Sequence, residues 1–244
     1  MASLRRDEPD VESGETTAKV GGLFDFNEGR TTVRLNWGEG FKLPSFFALA
    51  SPLIGNPDLR SETSESVDIG FTQRFLSDRL ATTVTVYHTE FTDLIDFDSE
   101  LFTSVNRTEV TAQGAEFEMY YQLSSTLAAN AEVLYLDLDV KDSDTPLRQR
   151  PDWRGSVSIL WDPAEDWRLQ ASWMYQGETF DSSVPTGGLM LDGYNRVDTT
   201  LTWMSTDSLN LLLSIDNLLD EDYAEAIGFK SAGRRARLAL RYRF

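Results

Sequence analysis

The chain has 244 residues, with 40 Asp and Glu against 22 Lys and Arg, a formal net charge of −18 and no cysteine. That length admits one large all-β domain or two small ones. The charge excludes a nucleic-acid binder, which needs a basic face, and the missing cysteines exclude disulfides, thiolate metal sites and a thiol nucleophile.

Residues 1–15 are polar and charged, with Pro9, Asp10, Glu12 and Gly14, and are read as loop or disorder ahead of a single β-domain over 16–244. A strand is expected from about Thr16 to Phe26, a short turn at Phe26–Gly29, and a strand from Arg30 to Gly38 with Val33, Leu35 and Trp37 on one face. A long excursion follows to Thr63, carrying Pro44, Pro52 and Pro57, in which Leu43–Ala50 has the pattern of one or two helical turns. Within it, Asn56-Pro57 starts a turn, because the residue before proline avoids helix.

From Glu62 to Phe75 alternation is clean: Val67, Ile69, Phe71 and Phe75 oppose Asp68, Gly70, Thr72 and Arg74. Strands are expected at Leu80–Ile95, Gly114–Leu123, Leu127–Val140, Trp153–Trp161, Trp167–Tyr175, Tyr194–Met204 and Leu209–Asn217. Loops are expected around Asp96–Asn106, Lys141–Arg150, Gly177–Leu191 and Asp216–Phe229. The last strand places Ala236, Leu238, Leu240, Tyr242 and Phe244 on one face and Arg235, Arg237, Ala239, Arg241 and Arg243 on the other. That makes about eleven strands, with short turns near 27, 77, 125, 164 and 206 and longer connections near 50, 100, 145, 184 and 225. Regular segregation of loop length marks an antiparallel up-and-down barrel that crosses a membrane with strands. No stretch has the roughly 20 apolar residues of a membrane-spanning helix. Trp37, Trp153, Trp161, Trp167 and Trp203 fall near strand ends, where aromatic rings sit at membrane interfaces.

Four stretches carry a resemblance. Gly40–Pro44 reads GFKLP, and Gly55, Asn56, Pro57, Leu59, Arg60 and Glu62 stand in GNPDLRSETS, with Ser61 where proline is usual. Gly114–Glu118 reads GAEFE, and Asn217–Tyr223 reads NLLDEDY. These resemble the barrel of TonB-dependent outer-membrane receptors, and Leu238, Leu240, Tyr242 and Phe244 resemble the terminal strand that barrel assembly machinery reads. The resemblance covers nearly all of 16–244 and implies the second half of a 22-stranded barrel. The plug domain, through which the TonB complex would act, and the first-half strands are not seen in the sequence. The implied function is active uptake of a scarce nutrient across the outer membrane of a Gram-negative bacterium, the nutrient being a ferric siderophore, a corrinoid or an oligosaccharide. For such a protein, the lack of an apolar leader in residues 1–10 points to processing, an engineered start or a fragment.

The implied partners are outer-membrane lipid, the assembly machinery and a small-molecule ligand, whose expected contacts include Arg168, Gln170, Arg196 and Asp198 on the wet face. No cofactor, metal or catalytic residue is expected. His88, the one histidine, lies mid-strand, and no nucleophile motif surrounds a serine. Glu116 and Glu118 fit hydrogen bonding on a wet face better than acid/base work. The pairs Asp142/Asp144 and Asp220/Asp222 lack calcium-loop spacing. Two other readings stand beside this one: a self-contained small barrel serving as passive pore or enzyme, and a soluble all-β binding module. Eleven strands could not close with an antiparallel seam.

Overall fold

A computed structural model describes residues 1–8, 14–98, 100–141, 143–183 and 186–243. Pro9, Asp10, Glu12, Asp142 and Phe244, used in the sequence reading, lie outside the described residues. The elements are β1 (Ala2–Asp7), β2 (Glu15–Phe26), β3 (Thr31–Lys42), α1 (Phe46–Ala50), β4 (Glu62–Phe75), β5 (Leu80–Asp98), β6 (Thr103–Ser124), β7 (Leu127–Val140) and β8 (Trp153–Ala164). They continue with β9 (Trp167–Gln176), β10 (Thr179–Ser183), β11 (Gly187–Leu191), β12 (Tyr194–Thr206), β13 (Leu209–Asp216), β14 (Ala224–Ala226), β15 (Phe229–Lys230) and β16 (Arg235–Tyr242). Twelve strands form one antiparallel sheet in the order β1-β2-β3-β4-β5-β6-β7-β8-β9-β12-β13-β16, and β10-β11 and β14-β15 are separate hairpins.

Period-two alternation becomes two chemically distinct faces. One apolar row runs Leu35, Ile69, Val86, Ala115, Tyr135, Trp153 across six strands in register. The next runs Val33, Phe71, Val84, Phe117, Val133, Gly155, Tyr175. The opposite face pairs polar groups across strands: Asn36 donates to Asp68 at 2.9 Å, and Ser66–Thr89, Thr72–Thr83 and Thr200–Ser214 each meet at 3.0 Å.

Among the described residues nothing covers the apolar face. Ile69 and Val86 are 48% exposed and Phe71 46%. Burying such a side chain is worth about 1.5–3 kcal/mol, so a face of this size left in water would be a large loss. The buried apolar residues, Ala48, Leu59, Val110, Ala112, Val140, Tyr194 and Tyr223, all lie toward the long-loop end. A soluble sandwich puts its core between two sheets; here the wall has no core and the packed part is the mouth.

Four expectations change. Ala2–Asp7, read as loop or disorder, is a strand in register with Glu15–Val20, and Arg6 donates to the Thr16 hydroxyl at 3.0 Å. Charged residues are tolerated at a sheet edge, so polarity was the wrong criterion there. The Asp96–Asn106 loop is instead the top of a tall hairpin, paired as far as Asp98–Thr103. Arg107, which bonds Asp96 at 3.2 Å and Asp98 at 3.5 Å, holds it together. The Gly177–Leu191 and Asp216–Phe229 loops contain the β10-β11 and β14-β15 hairpins. With β1 the main sheet has twelve strands rather than eleven. β1 runs toward the long loops and β16 away from them, so the parity objection to an antiparallel seam disappears.

Candidate functional site

The GNPDLRSE stretch, Gly55–Glu62, is a clasp. α1 starts at Ser45, whose hydroxyl accepts from the Ala48 amide at 3.0 Å, an N-cap. The chain then doubles back so that Gly55 donates to the Ser51 carbonyl at 2.9 Å and Asn56 to the Ala48 carbonyl at 2.8 Å. A Cβ on Gly55 would sit 2.6 Å from both Ser51 N and Ser51 O, so only glycine fits. The Asn56 side chain receives the Asp58 amide at 3.0 Å and donates to the Ser104 carbonyl at 2.9 Å, tying the turn to β6. Pro57 sets that turn between them. Leu59 is buried, and Arg60 pairs with Asp93 on β5.

Asn106 completes the clasp by donating to Arg60 O at 3.0 Å and Asp93 O at 2.6 Å and accepting from Arg60 N at 2.9 Å. Glu62, also buried, accepts from Lys42 at 3.1 Å and from the Ile95 amide at 3.1 Å. The motif therefore anchors one loop to the tall β5-β6 hairpin. Asn106 was not singled out in the sequence, because it stood at the end of an expected loop, where asparagine is ordinary.

A second clasp joins the later loops. Asp181 on β10 is 3% exposed, and its carboxylate accepts from the Ile227 amide at 2.8 Å. The Gln149 backbone N–H donates to the Phe180 carbonyl at 2.8 Å, and Arg148 donates to the Ser182 carbonyl at 3.1 Å while lying 5.3 Å over the Phe97 ring. Asn217 of the NLLDEDY element has φ 53°, a conformation asparagine tolerates. Its side chain closes the loop through the Glu221 amide at 2.9 Å and the Glu221 carbonyl at 2.9 Å. Tyr223 stacks on Tyr194 with centroids 4.0 Å apart. Neither Asp181 nor Arg148 belongs to a recognisable linear motif.

The four expected ligand contacts share the polar face but do not converge. Arg196 and Asp198 lie near the long loops and are engaged with each other at 2.7 Å, with Tyr223 at 3.3 Å and with the Asn217 amide at 2.8 Å. Arg168 and Gln170 are register partners of Thr202 and Thr200, toward the short turns, and Arg168 makes a two-pronged bond to Asp162 at 2.7 and 2.8 Å. Of the suspected acid pairs, Asp222 binds Lys230 at 2.8 Å and Asp220 accepts the Arg234 amide at 2.7 Å. His88 falls on the apolar-face parity and meets Glu90 at 3.4 Å. Leu238, Leu240 and Tyr242 are exposed on the apolar face of the edge strand β16.

The polar face carries its own depression, a cavity of about 430 Å³ walled by Glu116, Glu118, Glu132, Leu134, Arg154 and Met174. Glu118 and Glu132 are direct register partners, a like-charge juxtaposition that costs stability unless something offsets it. Among the described residues no ion pair engages these three carboxylates or Arg154. Three acids to one guanidinium leave this part of the polar face with a net negative charge.

Known proteins share this architecture. The family description "TonB dependent receptor-like, beta-barrel" matches residues 1–218. The vitamin B12 transporter BtuB of Vibrio cholerae is 28% identical over 252 residues, covering 100% of this chain and 39% of that one. BtuB of Photobacterium profundum is also 28% identical, over 99% of this chain and 40% of its own. In fold, the siderophore receptor PirA of Acinetobacter baumannii superposes with a TM-score of 0.80 at 14% identity, over 99% of this chain and 43% of that one. The ferric-catecholate import receptor Fiu of E. coli gives 0.78 at 19%, over 95% and 35%. The chain thus spans about two fifths of the length of the curated relatives it matches, and its sheet corresponds to part of a larger barrel. With its motifs, its two-faced sheet and a match over most of its length, the chain belongs to the TonB-dependent receptor family, in that family's β-barrel.

Proposed function

We propose that this chain forms part of the barrel wall of a receptor that takes up a scarce nutrient across the Gram-negative outer membrane, the nutrient being a corrinoid of the vitamin B12 class. The observation that carries the substrate is the likeness, at 28% identity along the entire chain, to relatives named vitamin B12 transporters. The observation that carries the setting is the uncovered apolar face, which needs hydrocarbon, set against a polar face that needs water. In this reading the two clasps hold the long loops as a mouth at the outer surface, and ligand contacts come from that rim and from the polar face below it. Arg196 and Asp198 then act by holding Tyr223 and Asn217, and so the rim, in place. Arg168 and Gln170 face the lumen nearer the periplasm.

The free edges of β1 and β16 must be paired in a bilayer, since an unpaired backbone group there costs several kcal/mol. Further barrel strands supply that pairing. Leu238, Leu240, Tyr242 and Phe244 are the residues through which the assembly machinery recognises the chain. Transport energy comes from the TonB complex acting on a plug domain. Relatives of the chain are transporters and receptors rather than enzymes.

The test is equilibrium binding of cyanocobalamin and of a ferric siderophore to outer membranes containing the complete receptor. Saturable cyanocobalamin binding that weakens when the second clasp is opened by Asp181→Ala is the expected result. Saturable siderophore binding without cyanocobalamin binding would overturn the substrate.

A further inference from the structure

Toward the long loops the outward face of the sheet turns wet. The apolar row that ends on Tyr135 and Trp153 is followed on the loop side by the register neighbours His88, Gln113 and Asp137, and then by Glu90, Thr111 and Asp139. Aromatic rows of this kind sit at headgroup level, so the surface above this one meets water and not hydrocarbon. A groove of about 340 Å³ opens there. Its floor is Trp153 and Tyr175, outward by register and both exposed, with the Tyr135 ring centred 4.8 Å from that of Trp153. The β10-β11 hairpin roofs it. Phe180 and Met190 are register partners, so they share one face of the hairpin, while Asp181 turns the other way into the second clasp. The Phe180 ring is set over Gly188, where a Cβ would lie 2.8 Å from the ring, so the roof is fixed in orientation.

We propose that this groove binds a neutral sugar ring belonging to the oligosaccharide of the outer-leaflet glycolipid, lipopolysaccharide. A pyranose has a face of C–H bonds and a rim of hydroxyls. The C–H face lies against the electron-rich faces of Trp153 and Tyr175, and Phe180 with the flexible Met190 thioether closes over the other side. The rim meets Arg150, Asp152 and Glu178, which line the same groove and are exposed. A hydroxyl both donates and accepts, so it donates to either carboxylate and accepts from the guanidinium, bonds of the stronger, charge-assisted kind. The Arg150 guanidinium bonds the Gln149 carbonyl at 3.1 Å, and among the described residues neither it nor the two carboxylates make an ion pair. Two carboxylates to one guanidinium disfavour the phosphates and acidic sugars of the glycolipid and leave its neutral rings. The groove opens away from the lumen, off any import route. A sugar anchored in the adjoining leaflet is held beside it at high effective concentration, as a free saccharide is not. The inference rests on the outer-membrane setting proposed above.

The complete receptor, in outer membranes, carries a benzophenone amino acid at position 146, where Pro146 lines the groove, and is irradiated. A covalent adduct with full-length lipopolysaccharide is expected. It should be absent in membranes whose lipopolysaccharide is truncated to its acidic innermost sugars, and lost when excess oligosaccharide released from the same glycolipid is added. It should fall about tenfold in Trp153→Ala, which removes the floor, and fall also in Asp152→Asn with Glu178→Gln, which keeps the shape and removes the charged acceptors. No adduct, an equal adduct with truncated lipopolysaccharide, or an adduct that free oligosaccharide does not displace would overturn the site. If Trp153→Ala does not fold, the Asp152→Asn and Glu178→Gln pair, both at exposed positions, carries the same readout. The same photoreactive group at position 84 separates the two failures. If it captures no lipid, the membrane setting fails; if it captures lipid and position 146 captures no glycolipid, the groove alone fails.

Discussion

The wall and the mouth of this sheet are held together by different means. Along the wall, from β3 to β9, strands are joined by backbone ladders and small polar pairs, and the apolar side chains of one face touch no covering layer. At the mouth, buried carboxylates, asparagines and an arginine bond loop backbones to one another, and the well-buried apolar residues collect there. The wall therefore depends on an apolar solvent, whereas the mouth is packed by its own residues. Within the mouth there is a further contrast. The first clasp binds one loop to one hairpin through amide side chains; the second binds three loops through Asp181, Gln149 and Arg148.

The largest expected effect strikes the wall. Val84→Arg, on the apolar face midway along β5, should destabilise the complete bilayer-inserted receptor by about 2–4 kcal/mol. Thr83→Arg, one residue away on the polar face, should cost much less; urea titration in liposomes compares them. Equal losses would erase the distinction between faces. Next comes Leu59→Ala, which empties a buried position of the first clasp and should cost about 2–5 kcal/mol locally. Hydrogen exchange should rise in 43–61 and at the tip of β5-β6 with little change in 177–191.

Asp181→Ala strands the Ile227 amide and should cost about 1–3 kcal/mol. Limited proteolysis should then open 141–152, 177–193 and 217–234 together while 43–61 stays protected, which would sharpen the separation of the two clasps. The smallest effect belongs to Arg60→Ala. Its partner Asp93 is largely covered but Arg60 itself is exposed, so under about 1 kcal/mol is expected, with Asn106→Ala clearly exceeding it in the same exchange measurement.

The strands of the wall were legible because a face that meets one solvent and a face that meets another force period-two alternation, as at Val67–Phe75. The motif loop was legible too, because Gly55, Asn56 and Pro57 each answer a local backbone demand. β1 was missed because an edge strand can be as charged as a loop. The top of the β5-β6 hairpin was missed because Asp93, with φ 59°, interrupts the pairing and beyond it apolar and polar residues mix on both faces, so alternation disappears. Arg107 with Asp96 and Asp98 carries the pairing there. The second clasp was invisible for a different reason: Asp181, Gln149 and Ile227 are brought together by three separate loops, and no spacing in the chain encodes that meeting. The expected ligand contacts, chosen by parity, share the polar face, but parity gives no height along a strand, which is why Arg168 and Arg196 lie toward opposite ends.

The central claim is that one face of this sheet meets hydrocarbon and the other water. The chain has no cysteine, so single cysteines placed in turn at positions 67–72 of β4 can carry a nitroxide in lipid bilayers, read for collision with oxygen and with a water-soluble nickel chelate. Labels at 67, 69 and 71 should favour oxygen and labels at 68 and 72 the chelate, alternating with period two. A profile without alternation, or with the phases reversed, would contradict it.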